Sequence, residues 1–132
     1  MNFVYVREAQ VRTLHRRFIV RYGGAPGIRD EGALESALAQ PKMAVFGCER
    51  FQTLADKTAA YCYFLVRNHA FIDGNRRLGV AVAELFLRAN GVIVKYESHD
   101  ALRDTMLAVA AGEIGLEELS EFYGRAIGGG AN

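Results

Sequence analysis

The segment from Asn68 to Arg77, NHAFIDGNRR, concentrates ionisable and hydrogen-bonding side chains in a turn between two apolar stretches. An imidazole can take a proton from an attacking hydroxyl at neutral pH, which makes His69 a candidate general base. Asp73 offers hard oxygen atoms of the kind that bind Mg²⁺ shared with a polyphosphate. The segment therefore predicts a base and a metal ligand in one loop.

The helix that begins after this turn is a candidate phosphate-binding element. Asp73 and Gly74 suit a tight turn, and a helix starting near Asn75 directs unpaired backbone N–H groups at whatever precedes it, which favours an anion. Arg76 and Arg77 fall in its first turn, where each positive charge opposes the helix dipole by about 0.3–1 kcal/mol. A bound phosphate would reverse that sign, and a guanidinium can donate two parallel hydrogen bonds to it.

Each of these residues also has a structural interpretation. His69 could be a hydrogen-bonded core histidine, Asp73 a helix N-cap, and the two arginines solvated surface charges. Structural needs do not require all these residue types within the nine residues from His69 to Arg77, so the combination favours the functional interpretation. Phe71 and Ile72 are expected to anchor the loop through apolar contacts and are assigned no chemistry.

Apolar residues recur at helical spacing along most of the chain, and this spacing predicts the elements that must position the loop. A capping box at Thr53 and Asp56 precedes an apolar run from Ala59 to Val66, so the helix before the loop is expected to be buried. The loop is followed by an amphipathic helix that ends at Asn90 and Gly91.

Four further helices are expected from the same spacing. They run from about Arg7 to Tyr22, from an N-cap at Asp30 to Pro41, along the face of Leu102, Met106, Val109 and Ala110 before Gly112, and from Leu116 to Ile127. Residues 42–52 are expected to be irregular or strand-like, and 92–96 to form a small strand or an extended connection. Together these patterns predict an all-α fold, a compact bundle of about six helices.

Length and charge limit the classes of protein to be considered. The 132 residues fit one domain, expected over 1–127, with a flexible C-terminal tail at 128–132. The 16 Lys and Arg residues nearly balance the 15 Asp and Glu residues, for a net charge of +1. This balance supplies no broad field for binding nucleic acid or an anionic membrane, so any phosphate chemistry has to be local.

The cysteines and the N-terminal residues bear on the cellular compartment. Cys48 and Cys62 are spaced for neither a disulfide framework nor a zinc cluster, and both are expected to be reduced. The first 17 residues carry several charges and no long apolar run, which argues against a secretory signal, and no apolar stretch is long enough to span a membrane. We therefore expect a cytoplasmic protein.

The segment HAFIDGNRR, from His69 to Arg77, resembles the signature His-x-Phe-x-Asp/Glu-Gly-Asn-x-Arg of the Fic/Doc (Fido) family. The preceding stretch RYGGAPGIRDEGALESALAQP and the helical spacing after the motif resemble the death-on-curing (Doc) branch over nearly the whole chain. The resemblance implies a Fic/Doc-like fold in which His69 activates a target hydroxyl and Asp73 holds the Mg²⁺ that bridges the phosphates of ATP. Gly74, Asn75 and Arg77 would complete the phosphate-binding turn.

The resemblance also implies a flap from about Val45 to Gln52, an extended edge that pairs with a segment of the target protein through backbone hydrogen bonds. Phe46 and Phe51 could serve this flap or could equally be ordinary core contacts. Arg67, two residues before His69, could add a phosphate contact, but a solvated arginine or one at a helix C-terminus is an equally good interpretation.

Two positions distinguish this chain from the adenylylating members of the family. Arg76 stands where those enzymes have a second glycine, and Val80 stands where they have a further arginine. The Doc branch also has a basic residue at position 76, commonly lysine, although arginine replaces a compact ammonium by a planar fork. The resemblance therefore favours a protein kinase that transfers a phosphoryl group from ATP to a Ser or Thr hydroxyl, with elongation factor Tu as candidate target, so that translation is inhibited.

Two other functions stay open beside the kinase. The same motif could transfer AMP to a target protein, or the protein could be a catalytically inactive module that binds nucleotide or antitoxin. No Ser or Thr in the chain is followed by Glu four residues later, so the inhibitory Ser/Thr-x-x-x-Glu helix of some relatives is absent. We therefore expect a separate cognate antitoxin that binds in trans, as in a type II toxin–antitoxin pair. His15 and His99 are interpreted as structural or surface residues.

Overall fold

The computed structural model describes residues 2–130, and within that range most of the chain is helical. The helices are α1 (Glu8–Tyr22), α2 (Glu31–Ala39), α3 (Leu54–Arg67), α4 (Asn75–Ala89), α5 (His99–Ala111) and α6 (Leu116–Gly130). A 3-10 turn (Gln40–Lys42) follows α2, and an antiparallel hairpin of β1 (Ala44–Val45) and β2 (Cys48–Glu49) leads into α3. The predicted all-α bundle of about six helices is confirmed.

Short polar side chains cap the starts of three helices, and the caps of α2 and α3 are those that the sequence predicted. The Asp30 carboxylate accepts a hydrogen bond from the Ala33 N–H at the start of α2. Thr53 and Asp56 form the expected capping box of α3, with each side chain bonded to the other residue's backbone N–H. The Ser98 hydroxyl caps α5 in the same way, by accepting from the Ala101 N–H. These caps satisfy N–H groups that have no partner within the helix.

Helix α3 is the central element of the core. The expectation that it is apolar and buried on nearly all sides is confirmed, because Tyr61 and Leu65 pack in one hydrophobic cluster and Cys62 and Val66 in another. The first cluster joins α3 to α1, α2 and α4, and the second joins it to α4, α5 and α6. The loop that carries the motif thus leaves the most buried helix of the fold.

Helices α3 and α4, which flank the motif loop, approach each other closely at Gly79. A Cβ atom at Gly79 would lie 2.7 Å from Val66 Cγ2 and 3.1 Å from the Cys62 carbonyl oxygen. Glycine is therefore the residue that this helix crossing requires. The close crossing fixes the two ends of the loop relative to each other.

The stretch Val92–Tyr96 is the extended connection and not the strand, the two outcomes left open by its β-branched sequence. Val92, Val94 and Tyr96 pack on the second hydrophobic cluster, and the Lys95 N–H donates to the Ala126 carbonyl. Side-chain burial rather than strand pairing therefore holds this segment.

Helix α6 continues to Gly130, three residues past the predicted boundary at Ile127, and residues 131 and 132 of the expected tail lie outside the described range. None of the helices within residues 2–130 combines the length and apolar character needed to cross a membrane.

Candidate functional site

The motif loop between α3 and α4 is closed on itself by the Asn75 side chain. Its Oδ1 accepts from the Phe71 N–H at 3.1 Å, and its Nδ2 donates to the Phe71 carbonyl at 2.8 Å. Gly74 adopts a left-handed φ of 83° as the N-cap of α4, a conformation that glycine adopts without steric cost. Asn75 therefore shapes the turn expected to bind phosphate, and its side-chain amide is already occupied by the loop backbone.

A second segment, between α1 and α2, lies across the motif loop and pairs with it through backbone hydrogen bonds. Ile28 and Phe71 form an isolated antiparallel bridge. The Arg29 N–H donates to the Ala70 carbonyl at 2.8 Å, and the Ile72 N–H donates to the Gly27 carbonyl at 3.2 Å. The apolar anchoring expected of Phe71 is confirmed by its burial, whereas Ile72 is half exposed.

Arg29 holds the backbone at the candidate base, a role that the sequence did not indicate. Its Nε donates to the His69 carbonyl at 2.8 Å and its Nη2 to the Asn68 carbonyl at 3.2 Å. His69 has a φ of 50°, a left-handed conformation that is uncommon for residues other than glycine. The His69 side chain is exposed, so its ring is not a buried core histidine and is accessible to a reactant.

Asp73, the candidate metal ligand, is held from two directions. Its Oδ2 accepts from the Ala25 N–H at 2.7 Å, and its carbonyl oxygen lies 2.7 Å from His15 Nε2. A carbonyl oxygen can only accept, so the proton of this hydrogen bond is on Nε2. The His15 ring is 2% exposed and stacks on Phe71 at a centroid distance of 3.9 Å. The structural interpretation of His15 is thus confirmed, and it belongs to the site rather than to the surface.

The backbone of Gly24 passes directly against the Asp73 side chain. Gly24 has a φ of 106°, and a Cβ atom there would lie 3.2 Å from Asp73 Cβ and 3.5 Å from Asp73 Oδ2. Both the conformation and the close approach require glycine. The Gly-Gly pair that ends α1 thereby sets the position of the Asp73 carboxylate.

The oxygen atoms of Asp73 fit a metal ion that takes most of its ligands from a bound phosphate and from water and not from the protein. Among the residues that the structure describes, no group of three His, Cys, Asp or Glu side chains could hold a metal ion. Mg²⁺ is usually bound by one or two carboxylates together with phosphate oxygens and water. With Oδ2 occupied by the Ala25 N–H, Asp73 Oδ1 remains available, which suits Mg²⁺ carried by a polyphosphate.

A cavity of about 700 Å³ opens between α1, α4 and α5 beside the two motif arginines. The Arg77 guanidinium carbon lies 3.9 Å from the centroid of the Tyr22 ring, a cation–π contact that holds the side chain at the cavity wall. The cavity is lined by polar and apolar side chains from the three helices: Phe18, Tyr22, Arg76, Arg77, Val80, Ala81, Glu84, His99, Asp100, Leu102, Arg103, Met106 and Leu107. The His99 side chain, interpreted from the sequence as structural or surface, is part of this lining.

The predicted site residues fall into three groups. His69, Asp73, Gly74 and Asn75 lie together in the loop and the first residue of α4, whereas Arg76 and Arg77 line the cavity. Arg67 donates from Nη1 to the Ala110 carbonyl at 2.9 Å and to the Val109 carbonyl at 3.4 Å, at the C-terminal end of α5. These bonds favour the interpretation of Arg67 as a helix-C-terminal arginine over that of a phosphate ligand.

The segment expected to form the flap, residues 45–52, overlaps the β1–β2 hairpin, which spans residues 44–49. Phe46 (φ 52°) and Gly47 (φ 80°) form its turn, and two positive φ angles at these positions are typical of a type I′ hairpin turn. Phe46 is fully exposed and Phe51 is buried. The core interpretation is therefore correct for Phe51, which packs edge-on against Phe64, and wrong for Phe46.

The chain is similar in sequence to known proteins. The sequence profile of the Fic/DOC family matches residues 5–87, which include α1, the motif loop and most of α4. Over 102 residues the chain is 37% identical to the protein named Toxin Doc of Mycolicibacterium smegmatis, covering 76% of this chain and 78% of that protein. Over 124 residues it is 33% identical to Protein kinase doc of Escherichia phage P1, covering 94% of this chain and 96% of that protein.

Proposed function

Because this chain belongs to the Fic/Doc family, we propose that it is a Doc-like toxin that transfers the γ-phosphoryl group of ATP to a Ser or Thr hydroxyl of a target protein. One observation carries this proposal. The cavity beside Arg76 and Arg77 lies next to a helix N-terminus whose preceding loop presents His69 and Asp73. Similarity over most of its length to a protein named as a kinase supports phosphoryl over adenylyl transfer.

The nucleotide occupies the cavity between α1, α4 and α5. Its base and sugar contact the apolar side chains of that wall, among them Phe18, Leu102 and Met106. Its phosphates reach the N-terminal end of α4, where Arg76, Arg77 and the unpaired backbone N–H groups neutralise their charge. The γ-phosphate is then the phosphate nearest the motif loop.

The transfer step needs one base and an in-line arrangement. The target hydroxyl oxygen attacks the γ-phosphorus while His69 takes its proton, the bond from the γ-phosphorus to the β,γ-bridging oxygen breaks, and ADP leaves with that electron pair. Most of the rate comes from positioning and charge neutralisation, as in phosphoryl transfer generally. Asn75, Arg29 and His15 contribute by holding the loop.

Asp73 is the residue that would hold Mg²⁺, through the oxygen that Ala25 leaves unoccupied. When bound there, Mg²⁺ supplies positive charge to the phosphate oxygens. The target protein docks along the exposed edge of the β1–β2 hairpin by strand addition, and elongation factor Tu is the candidate target. Its phosphorylation would inhibit translation.

Control comes from a separate antitoxin. Its helix docks in trans against the apolar wall of the cavity, where Leu102, Met106 and Leu107 lie. An antitoxin seated there would exclude the nucleotide and so keep the toxin inactive. We expect neither nucleic acid nor a membrane surface among the partners.

Mass spectrometry of a lysate incubated with the pure protein, Mg²⁺ and ATP tests the proposed function. A target protein that gains the mass of one phosphate supports the kinase, and a His69→Ala variant with intact fold should give no such product. A gain of the mass of AMP would instead establish the adenylyltransferase. Absence of any modified protein would favour the inactive binding module.

A further inference from the structure

Lys57 is a buried lysine outside the motif. It lies in the first turn of α3, and its side chain is 0% exposed. Burying an ammonium costs free energy unless the group is paired and hydrogen-bonded. A fully buried lysine in so small a domain therefore calls for a specific role.

The contacts of Lys57 lead to the hairpin that forms the flap. Its Nζ donates to Glu49 Oε1 at 2.9 Å and to the Pro41 carbonyl at 2.9 Å. It also lies 5.1 Å from the ring centroid of Phe3 and 5.4 Å from that of Tyr5. Glu49 belongs to β2 and Pro41 to the 3-10 turn before the hairpin. The Lys57 ammonium therefore links the flap both to that turn and to α3.

The ion pair also acts on Glu49. The Lys57 ammonium lowers the pKa of the Glu49 carboxyl, chiefly through their hydrogen bond. The Glu49 side chain is 46% exposed, so the pair has a buried cation and a half-exposed anion. The carboxylate therefore links β2 to the buried ammonium on α3 from a position that is partly open to solvent.

The same helix carries the candidate base. Lys57 lies near the start of α3, and His69 follows its last residue, Arg67, by two positions. At 1.5 Å per residue, the ten residue steps from Lys57 to Arg67 span about 15 Å of one rigid helix. A flap bound to Lys57 is thus held at a set distance from the reacting imidazole.

We propose that Lys57 is a positioning residue that ties the flap to α3 through Glu49 and Pro41, and so presents the β1–β2 edge preformed to the target protein. This inference rests on the proposed role of the flap in target docking. An edge ordered before binding avoids the conformational entropy cost of ordering it during binding. Lys57 therefore affects the affinity for the target protein and not the affinity for the nucleotide.

A spin label at Cys48 tests the tie without any substrate. Cys48 lies exposed on β2, whereas Cys62 is fully buried, so a nitroxide reagent labels the flap of the native protein. In Lys57→Met the label should move faster while the protein stays folded, because the Glu49 carboxylate that loses its partner is half exposed and stays hydrated, so no uncompensated charge is left buried. Lys42→Met is the matched control, since Lys42 is an exposed lysine beside the same Tyr5 ring, and its label should move as in the wild type.

A Glu49→Ala variant repeats the mobility test from the exposed side of the pair in case Lys57→Met does not fold. It leaves the apolar faces of α3 unchanged and should mobilise the label in the same way. Unchanged label mobility in a folded Lys57→Met or Glu49→Ala variant would overturn the proposal.

Kinetics with purified elongation factor Tu as acceptor then distinguish an effect on target binding from an effect on nucleotide binding. In Lys57→Met the KM for the acceptor should rise about tenfold, while kcat and the affinity for Mg²⁺·ATP stay at the wild-type level. A parallel loss of ATP affinity, or an unchanged acceptor KM, would refute the positioning role. If the wild type transfers no phosphate to this acceptor, the proposed function fails at that point, and the label mobility still decides whether Lys57 ties the flap.

Discussion

At the level of single residues, the candidate site depends on how Asp73 is held in place. Three remote residues do this: Ala25 through its N–H, His15 through its ring, and Gly24 through the absence of a side chain. The hydrogen bond from a buried imidazole to the Asp73 carbonyl fixes the backbone of the turn. The backbone of Gly24 and Ala25 fixes the carboxylate, so the candidate metal ligand is preorganised.

A His15→Leu variant tests the bond from the imidazole. The substitution leaves the Asp73 carbonyl without its donor, which should cost about 1–3 kcal/mol of unfolding free energy, and it should weaken Mg²⁺·ATP binding because the turn relaxes. Chemical denaturation and titration calorimetry measure the two effects. His15→Gln, which retains an N–H donor, should recover part of the binding. Wild-type affinity in a folded His15→Leu protein would contradict the role given to His15.

Gly24→Ala and Gly23→Ala form a matched pair that separates close approach from backbone strain. Both glycines have positive φ, but a Cβ atom at Gly23 would meet nothing within 4 Å, whereas one at Gly24 would press on Asp73. Both variants should lose stability, by about 1 kcal/mol or more. Only Gly24→Ala should also need more Mg²⁺ for half-maximal ATP binding. An equal Mg²⁺ requirement in the two variants would rule out the contact as the cause.

The motif residues could be singled out from the sequence because residue types suited to catalysis and phosphate binding occur together in one short segment. His69, Asp73 and Gly74 lie within six consecutive residues, and a turn keeps residues so near in sequence close together in any fold. Arg29 and His15 could not be found in this way, because their contacts with the loop span 40 and 58 residues. Such contacts depend on how the helices pack, and the local sequence carries no direct signal of packing.

At the element scale, the site depends on the crossing of α3 and α4. Capping boxes and apolar periodicity are local properties, and for this reason the helix bounds could be predicted closely from the sequence. The cavity lined by α1, α4 and α5 could not be predicted, because its shape depends on how three helices that are separate in sequence pack against each other. Whether Phe46 and Phe51 are buried also depends on contacts between separate elements, so the sequence could not distinguish the two.

Gly79→Ala and Gly124→Ala test the crossing. Both are glycines inside helices, where alanine is intrinsically better by about 1 kcal/mol. At Gly124 nothing lies within 4 Å of an added Cβ, so that variant should be stabilised, whereas at Gly79 the added atom meets Val66 and the backbone of Cys62. Thermal unfolding should therefore move in opposite directions. A stabilised Gly79→Ala protein with wild-type ATP binding would refute the close crossing.

At the scale of the whole molecule, α3 and α4 contribute to both hydrophobic clusters, and each cluster supports a different part of the fold. The cluster with α1 and α2 supports the motif loop, whereas the cluster with α5 and α6 supports the far wall of the cavity. A nucleotide bound between α1 and α5 would therefore join the two halves. This arrangement explains why ligand binding should stabilise the entire domain.

Thiol labelling tests the integrity of the second cluster. Burial raises the pKa of the Cys62 thiol to about 12, and the thiolate is the reactive form. At neutral pH a maleimide should label the exposed Cys48 quickly and Cys62 only after denaturation, as counted by intact mass. Rapid labelling of both thiols in the native protein would show that this part of the core is open.

The assignment of His69 as the base that drives transfer of the γ-phosphoryl group can be decided with ATP labelled separately at the α- and γ-phosphates. With Mg²⁺ and elongation factor Tu or a lysate as acceptor, the wild type should transfer only the γ label to protein, and a folded His69→Ala variant should transfer none. Transfer of the α label, or undiminished transfer of the γ label by His69→Ala, would contradict the claim.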